Sequence, residues 1–460
     1  LPPRRCAAFA ASGAARPVCM GWVVCAGGGN NGGDGYVVAR LALEARFDVC
    51  VIALGKPRAG GIAAAAAEAW QAAGGREITV EEAAVFAPDL IVDALFGIGL
   101  SRAPEGEAAG MIEAINAAGV PVAALDVPSG LFADTGAAPG PVVRAELTVT
   151  FIGLKPGLFT GKGPSVAGEI VFDRLGVPEG WKRDLRIAAR RIPPSLADAL
   201  LPARDRGAHK GLYGHVLVVG GNSGTGGAVR LAGEAAQRVG AGMVSVLTRP
   251  EHVTALLAAR PELMAHATLD GTLPGVLAER AGVVALGPGL GQGEWGRRLW
   301  KQALALDKPT VLDADGLNLL AAEPRVRDNW VLTPHPGEAA RLLDTTAADI
   351  ERDRFAALAR LVERYRAVVV LKGAGTLIGA PDDDPPYLCD RGNPGMASGG
   401  MGDALTGIIA GLLAQGLEPA AAARLGVWLH ATAADRATGA GERGLLAGDV
   451  IAELRVLVNP

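Results

Sequence analysis

Aromatic residues make up only 4% of this 460-residue chain, and cysteine, histidine and runs of like charge are sparse too. Few rings favour tight helix-on-sheet packing over an aromatic-rich binding surface. A net charge of -4 without a long Lys/Arg run argues against nucleic acid or an anionic membrane as the main partner. The five cysteines, at 6, 19, 25, 50 and 389, form no C-x-x-C pair, and two fall in apolar runs that read as buried strands. They are expected to be reduced, packed thiols. The six histidines are scattered, which leaves no zinc-type cluster. No stretch of roughly 18 apolar residues escapes charge or glycine, and the opening LPPRRCAAFAASGAARPVCM lacks the apolar core of a signal peptide. The protein is therefore expected in the cytoplasm.

What the chain does have is alanine, glycine and length. At this size two domains are expected, each able to bury a core. Apolar runs closed by Gly, Pro or Asp recur as WVVCAG, DVCVIALG, DLIVDALFG, PVAALDVPSG and ELTVTFIGLKPG, separated by alanine-rich helical stretches. Continuous apolar strands alternating with helices predict an α/β fold, a Rossmann-like parallel sheet covered on both faces. A Pro-rich, charged stretch at about 176–204 reads as a linker. A second α/β series follows, from HVLVVGGNSGTGGAVR through GVVALGPGLGQG, PTVLDADGLN, NWVLTPHPGE and AVVVLKGAGTLIG to GNPGMASGGMGDALTGIIAGLLAQG. The expected domains are 1–204 and 205–460. The DDDPP segment at 382–386 reads as a hairpin tip.

The densest signal is the run from Val23 to Gly35, with six glycines in the nine positions 27–35, ahead of the helical-looking YVVARLALEA. Such a loop before a helix reads as an anion cradle, in which backbone N–H groups approach a phosphate. Asn30, Asn31 and Asp34 add oxygens that point to a metal ion or a polar substrate head; a flexible loop with Asx turns is the plainer alternative. In an open parallel sheet ligands lie beyond the carboxyl ends of the strands, which singles out Asp93 and Asp126. Either aspartate alone could be a turn cap. Asn31, Asp93 and Ser129 together supply amide, carboxylate and hydroxyl oxygens suited to a hard cation.

GNNGGDGYVVAR at 29–40, DALFGIGL at 93–100, LDVPSGL at 125–131 and VTFIGLKPGL at 149–158 resemble the NAD(P)H-hydrate epimerases over residues 21–175. The resemblance implies a potassium ion held by Asn31, Asp93 and Ser129. It implies substrate contacts from Asn30, Asn31, Gly32, Gly33 and Asp34, from Gly97, Ile98, Gly99, Leu100, Ser101, Arg102 and Ala103, and from Asp126. The implied reaction inverts the hydroxyl-bearing C6 of a hydrated nicotinamide, with Asp126 as acid and base. The family ordinarily carries a helical segment before its first strand, and the opening here does not match it, so a truncated or divergent start is expected.

In the second half, GGMGDALTGIIAGLL sets glycines at a helix N-terminus with Asp403 in its first turn, offering donors to a phosphate and a base to a hydroxyl, as phosphoryl transfer needs. A glycine turn capped by an acid is the plainer alternative. The segment resembles the ribokinase superfamily. HKGLYGHVLVVGG, GPGLG, DADGLN, TPHPGE, KGAGT and GNPGMASGGMGD narrow this to the ADP-dependent NAD(P)H-hydrate dehydratases over roughly 205–455. That resemblance implies nucleotide binding by Lys372, Gly373, Ala374, Gly375, Thr376 and Gly402. It implies substrate binding by Ala228, Gly289, His335 and Asp403, with Asp403 as the base. His335 alone would more often be a packed or capping residue, and Lys372 a solvated one.

The expected protein is thus a bifunctional repair enzyme that interconverts the R and S hydrates and returns the S form to NAD(P)H, with ADP as co-substrate and magnesium expected alongside potassium. Expected partners are the hydrates and ADP, with no nucleic acid and no membrane, and a homo-oligomer is expected. The rivals are a small-molecule kinase with a non-catalytic first domain, and a nucleotide-binding regulator whose first domain has lost catalysis.

Overall fold

The structure, a computed structural model, describes residues 20–178, 180 and 185–459. The expectations for the opening segment, Cys6 and Cys19 lie outside the described residues. The chain forms two compact units. The first comprises described residues 20–134, 138–158 and 165–178; the second comprises Thr135–Ala137, Phe159–Pro164 and the described residues from 180 onward.

The first unit is built on strands β1 (Gly21–Gly27), β2 (Asp48–Leu54), β3 (Arg76–Glu77), β4 (Leu90–Ala94), β5 (Val122–Leu125), β6 (Leu147–Phe151) and β7 (Glu169–Asp173). They lie in the order β3-β2-β1-β4-β5-β6-β7, all parallel. Successive residues of a strand point to opposite faces, so each apolar run feeds two cores. Val23 and Cys25 pack with Ile91, Ile112 and Ile115, while Val24 and Ala26 pack with Tyr36, Val51 and Trp70. The strand order reverses between β1 and β4. That crevice is where an open parallel sheet places its ligand.

One local expectation is corrected here. The helix after β1 begins at Asn30, not after Gly35, so Gly32, Gly33 and Gly35 lie inside it and are buried. A Cβ at Gly32 would sit 1.7 Å from the Gly27 carbonyl oxygen, and one at Gly35 would sit 2.6 Å from Ala94 Cβ. These glycines let the helix close against the sheet. Gly29, by contrast, faces open space.

The second unit contains β8 (Arg190–Arg191), β9 (His215–Val219), β10 (Met243–Thr248), β11 (Met264–Ala267), β12 (Val283–Leu286), β13 (Thr310–Leu312), β14 (Trp330–Leu332), β15 (Val368–Leu371), β16 (Thr376–Gly379) and β17 (Tyr387–Cys389). The sheet order is β11-β10-β9-β12-β13-β14-β15-β16-β17-β8. It is parallel from β11 to β15, after which β16 turns antiparallel to both its neighbours. The DDDPP segment lies in the turn between β16 and β17. Val216 and Val218 serve one face of the sheet, Leu217 and Val219 the other.

Part of the stretch read as a linker is built into this unit: Arg190 and Arg191 pair with Tyr387 and Leu388, and Ile192 is buried in the core. One apolar residue among charged neighbours gives too short a pattern to read as a strand. Cys25, Cys50 and Cys389 are buried and form no disulfide among the described residues. No helix among the described residues is long and apolar enough to cross a membrane.

Two candidate active sites

In the first unit, Asp93 is the penultimate residue of β4 and is fully buried. Its carboxylate accepts the Ser129 hydroxyl at 2.6 Å, the Ser129 amide at 2.7 Å and the Leu95 amide at 3.2 Å. Burial nevertheless wins over these bonds and pushes Asp93 up to about 6. Among the described residues no lysine or arginine pairs with it. The Ser129 hydroxyl also accepts the Phe96 amide at 2.8 Å. A Cβ on the next residue, Gly97, would lie 3.4 Å from Asn31 Oδ1, while Asn31 Nδ2 is buried without a partner among the described residues. The turn Phe96–Gly97 thus joins Asn31, Asp93 and Ser129 into one cluster.

Asp126 follows β5 with a left-handed φ of 68°, uncommon for a residue with a side chain. Its Oδ1 accepts the Thr150 hydroxyl and the Phe151 amide, each at 3.3 Å, and the Lys155 ammonium. Lys155 in turn donates to the Phe151 carbonyl at 2.7 Å. Asp126 Oδ2 receives no donor among the described residues. Asp34 feels this carboxylate: partial burial, and then the negative charge of Asp126, push it above its ordinary value. Asn30 and Asp34 are exposed, Gly32 and Gly33 are buried. Gly97 through Ala103 form the loop after β4, with Ile98 64% exposed. Lys155 was missed by sequence reasoning. It stands in the LKPG string just past β6, and its partner is 29 residues away.

In the second unit the loops after β9, β12, β13, β14 and β15 leave the same edge of the sheet. Asp313, just past β13, and Lys372, just past β15, form a 2.7 Å ion pair. The Thr406 hydroxyl donates to the other Asp313 oxygen at 2.9 Å. Glu338, 3.7 Å from Lys372, also accepts the His335 amide at 2.8 Å. Burial opposes the charge of both ion-pair partners, but attraction prevails: Asp313 is held below the carboxylate range and Lys372 above the usual lysine range. A Cβ on Gly402 would lie 3.3 Å from Asp313 Oδ2 and 3.4 Å from Lys372 Nζ. The pair is therefore tucked beneath the N-terminus of the helix Met401–Ala414.

Asp403 sits in that helix's first turn. Burial, reinforced by Asp313 and opposed by Lys372, pushes it up to about 7. Glu338 is raised by burial despite Lys372. The nearby buried His430 is pushed down to about 4 by burial and by Lys372, so it is neutral near pH 7. One ammonium faces three carboxyl groups.

His335 caps the helix Pro336–Leu343, its Nδ1 accepting the Gly337 amide at 3.0 Å and the Glu338 amide at 3.3 Å. Gly289, with φ 58°, lies against Thr225: its carbonyl accepts the Asn222 amide at 2.6 Å and the Thr225 hydroxyl at 2.8 Å. The Ala228 amide donates to the Thr225 carbonyl at 3.1 Å, so Ala228 and Gly289 both bond to Thr225. Asp313, Glu338 and Thr406 were missed. Asp313 was findable, since it follows an apolar run as Asp93 does.

Residues 216–455 match the family model described as NAD(P)H-hydrate dehydratase, and residues 5–157 match that of the YjeF-related protein N-terminus. The chain is 51% identical over 458 residues to the bifunctional NAD(P)H-hydrate repair enzyme Nnr of Coxiella burnetii, covering 99% of this chain and 93% of that one. It is 48% identical to the Escherichia coli enzyme of the same description, covering 99% and 88%. Among solved structures, the ADP/ATP-dependent NAD(P)H-hydrate dehydratase from Bacillus subtilis, co-crystallised with ATP/Mg2+, aligns with a TM-score of 0.54 and 30% identity over 59% of this chain and 98% of that one. The chain belongs to the bifunctional NAD(P)H-hydrate repair enzymes, which join an epimerase and a dehydratase in one polypeptide.

Proposed function

We propose that the two activities divide between the two clusters, with Asp126 and Lys155 serving epimerisation and Asp403 serving dehydration. In the first unit the donors on Asp126 converge on Oδ1, which holds the carboxylate in one orientation and leaves Oδ2 for the substrate. C6 of the hydrate carries a hydroxyl beside the ring nitrogen. Loss of that hydroxyl as water, helped by the nitrogen lone pair, leaves a planar cation, and re-addition to the opposite face inverts the centre. Asp126 delivers and recovers the proton, and its charge favours the cation. Residues 30–34 and 97–103 line the approach to it.

The Asn31, Asp93 and Ser129 cluster fits a monovalent cation. Asp93 is a buried carboxyl without a cationic partner among the described residues, and the donor set is all oxygen. A potassium ion there would supply the missing positive charge and fix the Phe96–Gly97 turn.

In the second unit, the raised Asp403 beside the Asp313–Lys372 pair is the observation that carries the reading. Asp403 accepts the C6 hydroxyl proton as that oxygen attacks the terminal phosphoryl of the nucleotide. Phosphate then leaves C6, pushed by the ring nitrogen, and loss of a proton from C5 restores the ring double bond. Phosphate is a far better leaving group than hydroxide. The turn Gly373–Gly375, with Lys372, Thr376 and Gly402, holds the nucleotide, while Ala228, Gly289 and His335 hold the hydrate. Magnesium would clamp the phosphoryl oxygens, as ATP/Mg2+ in the Bacillus subtilis dehydratase supports. ADP is the proposed donor. The buried free thiols fit a reducing cytoplasm.

The test is incubation of the purified chain with both hydrate epimers and ADP, following NADH absorbance and nucleotide products. Consumption of both epimers with release of AMP and free phosphate is expected. A stable phosphorylated product, or consumption of one epimer only, overturns the scheme.

A further inference from the structure

The loop Lys372–Thr376 is shaped from beneath by a buried arginine that neither activity uses directly. Arg354 is 1% exposed, and Gly373, at φ 143°, passes so close that a Cβ there would lie 2.8 Å from the guanidinium. Arg354 Nη2 donates to the carbonyls of Leu371 and Lys372, each at 3.2 Å, and Nη1 donates to Glu351 at 2.9 Å. Its Nε donates to the hydroxyl of Thr160 at 3.0 Å. Thr160 is fully buried, and its hydroxyl proton goes to the Gly375 carbonyl at 2.9 Å, with the Ala374 carbonyl at 3.3 Å. The Gly161 amide also donates to the Ala374 carbonyl at 3.3 Å. A Cβ at Gly375 would sit 1.7 Å from the Phe159 carbonyl oxygen.

The glycines of KGAGT are therefore required by what packs behind them: Arg354 at 373 and Phe159–Thr160 at 375. Four carbonyls, at 371, 372, 374 and 375, are turned toward this support. Among the described residues none of the amides of Gly373, Ala374 and Gly375 donates to a backbone carbonyl. A peptide whose carbonyl is held on one side presents the amide of the following residue to the other.

We infer that Thr160 and Arg354 are positioning residues of the second site, which hold the carbonyls of this loop inward so that its amides face a nucleotide phosphate. The inference rests on the reading that residues 372–376 bind nucleotide. It assigns to dehydration a residue that lies, in sequence, inside the stretch that resembles the epimerases. Phe159–Pro164 belongs to the second unit although unit-one residues flank it on both sides. Thr160 is the informative position, because its hydroxyl both accepts from Arg354 and donates to the loop. Valine keeps its shape and can do neither.

The test uses the full chain, with ADP as probe, in Thr160→Val and Thr160→Ser. Thr160→Val is expected to weaken ADP binding and raise the KM for ADP by about tenfold, the cost of one or two lost buried hydrogen bonds, with kcat within about twofold. Thr160→Ser is expected to restore both. Hydrogen exchange separates the two claims. If ADP fails to protect the 372–376 amides in the wild-type chain, the nucleotide reading of the loop fails. If ADP protects them and Thr160→Val binds ADP as tightly as wild type, the positioning role is overturned. A fall in kcat without a change in KM, not rescued by serine, likewise overturns it.

Discussion

Asp403→Asn should cost the enzyme its dehydration and make it more stable at the same time. In the folded protein this carboxyl stands at about 7, against 3.8 for a free aspartate, because it is buried and faces Asp313. Lys372 pulls the other way, but it is already paired with Asp313 at 2.7 Å and attracted to Glu338 at 3.7 Å. Neutral His430 adds no positive charge. Ionising Asp403 in the fold is thus harder than in the unfolded chain by about three pH units, or roughly 4 kcal/mol at about 1.36 kcal/mol per unit. A raised carboxyl favours the fold only while protonated, and that advantage disappears as pH rises through the folded value. The wild type therefore carries the full penalty above about pH 7 and none below about pH 4, and asparagine carries it nowhere. Heat denaturation of the second unit should show Asp403→Asn melting several degrees higher at about pH 8, with the gap closing toward about pH 4. The same variant should lose about 100-fold to 10,000-fold in dehydration, since asparagine cannot accept the proton. Wild-type dehydration should fall about tenfold per pH unit below about 7, as the base takes up its proton. Equal melting temperatures on the alkaline side, or a gap that does not change with pH, would refute the charged-cluster account.

Asp126→Asn should slow epimerisation by about 100-fold to 10,000-fold while ADP-driven consumption of the S hydrate continues, as followed by chiral separation of the hydrates. Lys155→Met should slow the same step by freeing the Asp126 carboxylate, and Lys155→Arg should recover part of it; unchanged rates in both would make Lys155 structural. Asp93→Ala should abolish any dependence of epimerisation on potassium, and a variant that still responds to potassium would place the cation elsewhere. Gly32→Ala should destabilise the first unit by at least about 1–3 kcal/mol, because its Cβ would meet the Gly27 carbonyl at 1.7 Å. That loss would be read as a lower melting transition for that unit.

Strand identity was legible because it rests on local pattern. WVVCAG, DLIVDALFG and HVLVVGG are each long enough to fill two faces of a sheet, and each became a strand. The acids at strand ends were legible for the same reason, since a carboxyl just past an apolar run has to emerge at the ligand edge of a parallel sheet. Arg190–Arg191 escaped notice because a strand of two charged residues has no apolar period to detect.

Pairing is a different kind of information. Lys372 and Asp313 are 59 residues apart, and Arg354 and Thr160 are 194 apart. Nothing near either partner in the sequence announces the other. Glycine shows the same limit most plainly. The string GGGNNGGDG says that something must approach the backbone closely, but not what does. Around Gly32 and Gly35 it is the protein's own carbonyl and methyl groups, and only Gly29 is left facing open space. In KGAGT a buried guanidinium and the carbonyl of Phe159 fill the room that glycine leaves. A glycine-rich loop beside a ligand edge is thus shaped as much by the packing behind it as by the ligand in front, and the long-range partners that do the shaping become visible only once the chain is folded.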